Sequence, residues 1–226
     1  MQVRISSSPA YALAYITLNA GESVYLEKGA MVAVSGGISA SVSLANSIAG
    51  AAIRKLLVHE QFFQGLYTAS VTGAWVAAAP AFPGDVAVVD VGSDGPLTIQ
   101  SGSYLGHETT VNVSVGVTSV QKVIMREGLF AVNCSGHGLL LIASYGGLER
   151  FELQPGHKLI VDTGHIVAWS QGMSTRTGPM SGAMSSTLTG EGMVLELTGP
   201  GVVYLQSRAE AQLKSFLFPD REHDAK

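Results

Sequence analysis

Residues 153–171 read LQPGHKLIVDTGHIVAWSQ, and an imperfect copy, LNAGESVYLEKGAMVAVSG, stands at residues 18–36. Each copy runs turn, short apolar strand, turn and returning strand. In the earlier one Ala20-Gly21 and Lys28-Gly29 bracket the strand at 23–27, and residues 31–35 return. Glycine at the turns with alternating apolar residues between them is hairpin grammar, because glycine takes the positive φ of tight turns without a steric penalty. A third, interrupted copy is expected from Pro83, with Pro83-Gly84 opposite Pro155-Gly156.

A second hairpin type recurs beside the first. The strings GLYTASVTGAWVAAAP from Gly65, GLFAVNCSGHGLLLIAS from Gly128 and GMVLELTGPGVVYLQSR from Gly192 fall into register when Thr72-Gly73, Ser135-Gly136 and Thr198-Gly199 are aligned. Repeats longer than about 50 residues that each supply strands but no self-sufficient core suggest units packed about a common axis. The expected fold is all-β: a double-stranded β-helix or prism with internal pseudo-threefold repeats, one short inserted helix and a C-terminal helix. It is expected to form a single domain over residues 1–218, with a flexible tail at 219–226.

Composition narrows the function classes. The chain has 226 residues, of which 46% are hydrophobic and 13% charged, so it can bury a large core. A formal charge of -4 without a Lys/Arg cluster leaves no footprint for phosphate neutralisation, and no nucleic-acid partner is expected. One cysteine forms no internal disulfide, and residues 1–15, MQVRISSSPAYALAY, lack a continuous apolar signal core. A cytoplasmic protein is expected, without a transmembrane segment.

Two segments break the β pattern. In residues 42–58, VSLANSIAGAAIRKLLV, Leu44, Ile48, Ala52 and Leu56 recur at i+4 with Ile53 alongside, which predicts a short amphipathic helix. In the C-terminal SRAEAQLKSFLFPDREHDAK, Leu213, Phe216 and Leu217 share a helical face that Pro219 ends. The connection GMSTRTGPMSGAMSS, at residues 172–186, carries Met173, Met180 and Met184, flexible apolar side chains that adapt to partners. Leu44, Ile48, Ile53, Leu56, Met173, Met180 and Met184 are therefore the candidate interaction surface.

Candidate catalytic residues lose their distinction against the aligned copies, and none is assigned. Asp162-Thr163-Gly164 follows an apolar run as in aspartic-protease loops, but His165 stands where those loops carry Ser, Thr or Ala, and the first copy reads Glu27-Lys28-Gly29. A plain turn is expected there. His157 aligns with Glu22 and Asp85, His165 with Ala30, and no His-x-His occurs. His107, Glu108, His157 and His165 are the candidate metal ligands, with His107-Glu108 the pair least explained by the repeats; no cofactor is assigned. Cys134 lies in an alternating strand and reads as a buried hydrophobe. In residues 166–171 alternation places Ile166, Ala168 and Ser170 on one face and Val167, Trp169 and Gln171 on the other, with Trp169 buried against the next repeat.

The strings AAPAFPGDV (78–86), GSYL (102–105), SYGGLERFELQPG (144–156), VDTGHIVAW (161–169) and GEGMVLELTGPGVVYLQSR (190–208), in that order, resemble the AIM family, named for altered inheritance of mitochondria. The resemblance covers residues 21–208. It implies a TRAP-like double-stranded β-helix, similar to the tryptophan RNA-binding attenuation protein, with no established activity in bacterial members and an association with inner-membrane organisation in mitochondrial ones. No transit peptide is expected in this chain and its sequence shows no basic cluster, so neither a mitochondrial role nor RNA binding is carried over. The reading is a non-enzymatic binding or scaffolding protein in assembly or membrane-associated organisation, with self-association or a protein partner and peripheral membrane contact as its interactions. The alternative is a cupin-like metal-dependent enzyme.

Overall fold

The computed structural model describes residues 1–44, 63–115, 131–179 and 193–218. After β1 (Gln2–Ser6) the chain runs three times through one course of six strands. The first unit is β2 (Leu13–Leu18), β3 (Ser23–Glu27), β4 (Met31–Val34), β5 (Ile38–Leu44), β6 (Phe63–Ala69) and β7 (Ala74–Ala78). The second is β8 (Val86–Asp90), β9 (Leu97–Gln100), β10 (Tyr104–Glu108), β11 (Val111–Val115), β12 (Ala131–Gly136) and β13 (Leu139–Ala143), with a helical turn α1 (Val91–Asp94) after β8. The third is β14 (Leu148–Leu153), β15 (Lys158–Asp162), β16 (Ile166–Ser170), β17 (Ser174–Pro179), β18 (Met193–Thr198) and β19 (Gly201–Gln206), and α2 (Glu210–Leu217) follows.

Pairing repeats with the course. In each unit the sixth strand lies between the first and third (β2-β7-β4, β8-β13-β10, β14-β19-β16), and the fifth lies between the second and fourth (β3-β6-β5, β9-β12-β11, β15-β18-β17). Each unit supplies the bulk of one apolar cluster. The first is built on Ile16, Leu18, Leu26 and Val76, the second on Leu97, Ile99, Leu140 and Ile142, and the third on Ile166, Leu195, Leu197 and Val203. Cys134 is fully buried in the second, as its alternating strand implies.

The same irregularity marks all three units. The third strand bulges against the sixth between Met31 and Ala33, between Tyr104 and Gly106, and between Ile166 and Ala168. One extra residue shifts the face of everything beyond it. Strict alternation therefore fails in β16: Ile166 and Trp169 both enter the third core, while Val167 and Ala168 enter the second. Trp169 is buried as expected, at 5% exposure, but within its own unit, with Ala131 the contribution of the preceding one.

The expected third copy starts one strand too early. The turns between first and second strands carry Gly21, Gly95 and Gly156 at φ 84, 82 and 79°. Gly95, not Gly84, is thus the counterpart of Gly156, and α1 just before it disguises the match. Gly84 instead precedes β8 as Gly146 precedes β14, and the two form a parallel bridge. Gly73, Gly136 and Gly199 do share one turn of the course. Four residues separate β6 from β7 but only two separate β12 from β13, so strand register sets Tyr67, not Val71, at the place of Cys134.

The inserted helix does not begin at Val42. Residues 42–44 complete β5 and pair with β6 through Leu44 and Phe63, since β-branched Val42 and its neighbours continue the ladder. The rest of that segment, with Ile48, Ile53 and Leu56, lies outside the described residues, as do Met180, Met184 and the tail at 219–226. Met173 is not surface: it is 9% exposed in the third core. Gly201 makes its room, since a Cβ there would meet the Met173 sulfur at 2.7 Å. The C-terminal helix forms, with Leu213 half-buried, but Phe216 and Leu217 stay exposed at 81% and 55%.

Candidate functional site

Threefold repetition predicts three junctions between units, and among the described residues strand pairing makes two. Antiparallel pairing of β10 with β3 and of β16 with β9 joins neighbouring units into six-stranded sheets. The third junction would join β4 to β15. Both instead terminate their sheets, β4 in the order β1-β2-β7-β4 and β15 in β15-β18-β17.

Burial follows pairing. At the bulge the extra residues Leu105 and Val167 are fully buried, whereas Val32 is 57% exposed. Two positions further on, His107 and Trp169 are 3% and 5% exposed, whereas Val34 is 41% exposed. On the facing strand Thr98 is buried at 6% while Ile160 stands at 53%. An edge strand presents unpaired N–H and C=O groups, and apolar side chains beside them favour pairing with another strand. Lys158, a cation of the kind that guards edges, is tied to Glu196 on neighbouring β18 at 2.9 Å. Sequence reasoning missed Met31, Val32, Val34 and Ile160, because apolar residues recur along the strands of all three units and only the pairing reveals which ones lack a neighbour.

A buried polar cluster lies at the first closed junction. Gln64 Nε2 donates to the Tyr104 hydroxyl at 2.6 Å, which leaves the phenolic proton for Nδ1 of His107. Tyr25 stacks on the imidazole at 5.0 Å between centroids. Burial pushes the His107 pKa down to about 3 and that of Tyr104 well above its usual value. A neutral imidazole accepting at Nδ1 satisfies that geometry. Glu27, opposite Gln64 in the β3–β6 register, is pushed up to about 7 by burial. It borders a cleft of about 460 Å³ with Lys28, Ala40, Val42 and Tyr67. Gln64 and Tyr104 were not among the expected residues; β6 and β10 mix polar and apolar side chains, so neither residue stands out in the sequence.

The metal candidates are dispersed. Glu108 accepts the Leu139 N–H at 2.7 Å, as Ser35 accepts that of Trp75 at 2.8 Å and Ser170 that of Val202 at 2.9 Å. These are the same position in three units, so Glu108 performs the structural task that serine performs twice. His165 donates from Nδ1 to the Gln206 carbonyl at 2.8 Å, and His157 is exposed in the turn before β15. Asp162 caps a 3-10 turn by accepting the Gly164 N–H at 3.0 Å. Among the described residues no group of three or more His, Cys, Asp or Glu is placed to hold a metal ion, and no helix is long and apolar enough to cross a membrane.

The family model described as mitochondrial biogenesis AIM24 matches residues 3–208. The chain belongs to the AIM24 family. An uncharacterized protein of Streptococcus pyogenes serotype M6 is 27% identical over 215 residues, which are 92% of this chain and 86% of that one. A crystal structure of a Streptococcus pyogenes protein from a structural-genomics programme superposes with a TM-score of 0.77 at 27% identity, covering 96% of this chain and 97% of that one. AIM24 membership thus comes with the all-β fold.

Proposed function

We propose that this protein is a non-enzymatic binding or scaffolding module that works in the cytoplasm by associating with protein at its open third side. The observation that carries the reading is the exposure of Val32, Val34 and Ile160 at the junction that the described strands leave unpaired, where the equivalent residues of the other units are buried or paired. Two buried groups with strongly shifted acidities support it: His107 is neutral and enclosed, and Cys134 is fully buried with its thiol pushed up to about 12. Neither is suited to act on a substrate near neutral pH.

The test is site-specific photocrosslinking in cells from positions 32 and 160, with position 151, an exposed Phe on the outer strand β14, as control. Adducts to any protein at 32 and 160 but not at 151 uphold the reading, and equal labelling or none overturns it. Stoichiometric metal in the purified protein would favour the cupin-like enzyme instead. Peripheral membrane contact is a second reading, supported by Phe216 and Phe218 at 81% and 77% exposure in and beside α2. Absence of liposome co-sedimentation by the intact protein would remove it, and co-sedimentation that survives Phe216→Ser and Phe218→Ser would remove α2 as the contact.

A further inference from the structure

We propose that the protein occupying the open side is a second copy of this chain, with β4 of one copy paired antiparallel to β15 of the next. This rests on the preceding reading and names its partner. The register is dictated by the two junctions the chain already makes. Gly106 faces Leu26 and His107 faces Tyr25 at the first; Ala168 faces Ile99 and Trp169 faces Thr98 at the second. The bulge fixes Ala33 and Val34 as the counterparts of Gly106 and His107. The β3, β9 and β15 registers fix Val161 and Ile160 as those of Leu26 and Tyr25. The third junction therefore reads Ala33 to Val161, Val34 to Ile160 and Ser35 to Leu159.

Backbone polarity agrees at the centre of that register. Ser35 N–H donates to the Trp75 carbonyl, so Ser35 faces β7 and, by alternation, the N–H and C=O of Val34 face outward. The His157 carbonyl accepts the Gly199 N–H, so His157 and Leu159 face β18 and the polar groups of Ile160 face outward. Val34 and Ile160 are thus poised to exchange both hydrogen bonds. The contact would continue the six-stranded sheets across a molecular boundary, in the same form as the junctions inside the chain. It is head-to-tail, because one edge is β4 and the other β15, and such contacts close into rings or reciprocal dimers or propagate as filaments.

Complementation tests it. Val34→Pro removes the outward donor of β4 without touching its bonds to β7, and Ile160→Pro does the same for β15. The intact protein should sediment above the monomer mass, and each variant alone should be monomeric. Their equimolar mixture should form a one-to-one dimer, because the surviving β4 edge of one meets the surviving β15 edge of the other. Monomeric intact protein, or a mixture that stays monomeric, overturns the inference. If either proline variant loses its cooperative thermal transition, Val34→Lys and Ile160→Lys replace them under the same expectation. Photocrosslinks from positions 32 and 160 to a different protein would leave the association reading standing while removing the second copy as its partner.

Discussion

Glu27 and His107 sit one strand apart on the same face of one sheet and answer pH with opposite signs. The folded state raises the Glu27 carboxyl from 4.5 to about 7, so it holds a proton that the unfolded chain has released, and the stability this confers is lost as pH rises from 4.5 through 7. His107 is lowered from 6.5 to about 3, so its contribution is complete above pH 6.5 and is lost as pH falls toward 3. Stability should be greatest near pH 5 to 6, where the two slopes oppose. Glu27→Gln keeps the shape without the charge. At pH 8 it should be more stable than the parent by on the order of 2 kcal/mol, allowing for the solvent contact Glu27 retains, and at pH 4.5 the two should coincide. Urea midpoints from pH 4 to 9 would show this, and parallel curves would place Glu27 in water. Glu108→Ala should cost about 1 to 3 kcal/mol by orphaning the Leu139 N–H, whatever metal is added or removed. A chelator-dependent thermal midpoint in the parent would contradict that structural role.

At the scale of elements, much was legible where glycine and alternation speak together. The strands and turns expected at residues 18–36 and 153–171 and around Gly73, Gly136 and Gly199 form, but they are not hairpins: the strands on either side of each turn enter different sheets and pair with other partners, as β3 does with β6 and β10 while β4 pairs with β7. The errors of register have one cause, local insertions that shift it without changing composition: a bulge residue in β16, two extra turn residues after β6, and α1 displacing the glycine turn before β9. The polar cluster and the open side were illegible for a different reason. Both arise from which strands become neighbours, and that is a property of the pairing of distant segments. Two glycines separate backbone conformation from close approach. Gly156 has positive φ but nothing within 4 Å of the place a methyl would take, so Gly156→Ala should cost about 1 to 2 kcal/mol. A Cβ on Gly84 would lie 1.7 Å from the Ser144 carbonyl oxygen, so Gly84→Ala must break the bridge to Gly146 and should cost distinctly more. Equal midpoints for the two variants would mean that the bridge contributes nothing to holding the first two units to the third.

For the molecule as a whole, the question is whether three cores make one cooperative unit. Each unit has its own apolar cluster, which resembles a repeat array whose members unfold separately. The sheets argue otherwise, because β10 and β16 each belong to one unit while completing the sheet of the unit before it, so losing one unit strips a long edge from its neighbour. The chain has two tryptophans, Trp169 in the third core and Trp75 in β7 of the first unit, packed edge-on against Tyr15 at 5.6 Å. Trp169→Ala should cost about 3 to 5 kcal/mol, and it leaves Trp75 as the sole indole, reporting from a unit whose core Trp169 does not join. If the shared sheets couple the units, Trp75 fluorescence and far-ultraviolet dichroism will lose their signals together at the same lowered urea concentration. A Trp75 transition that stays at the parent midpoint, beside an earlier loss of dichroism, would instead show the third unit melting alone. The two closed junctions would then be too weak to transmit the loss, and a third junction of the same form between two molecules would be correspondingly weak.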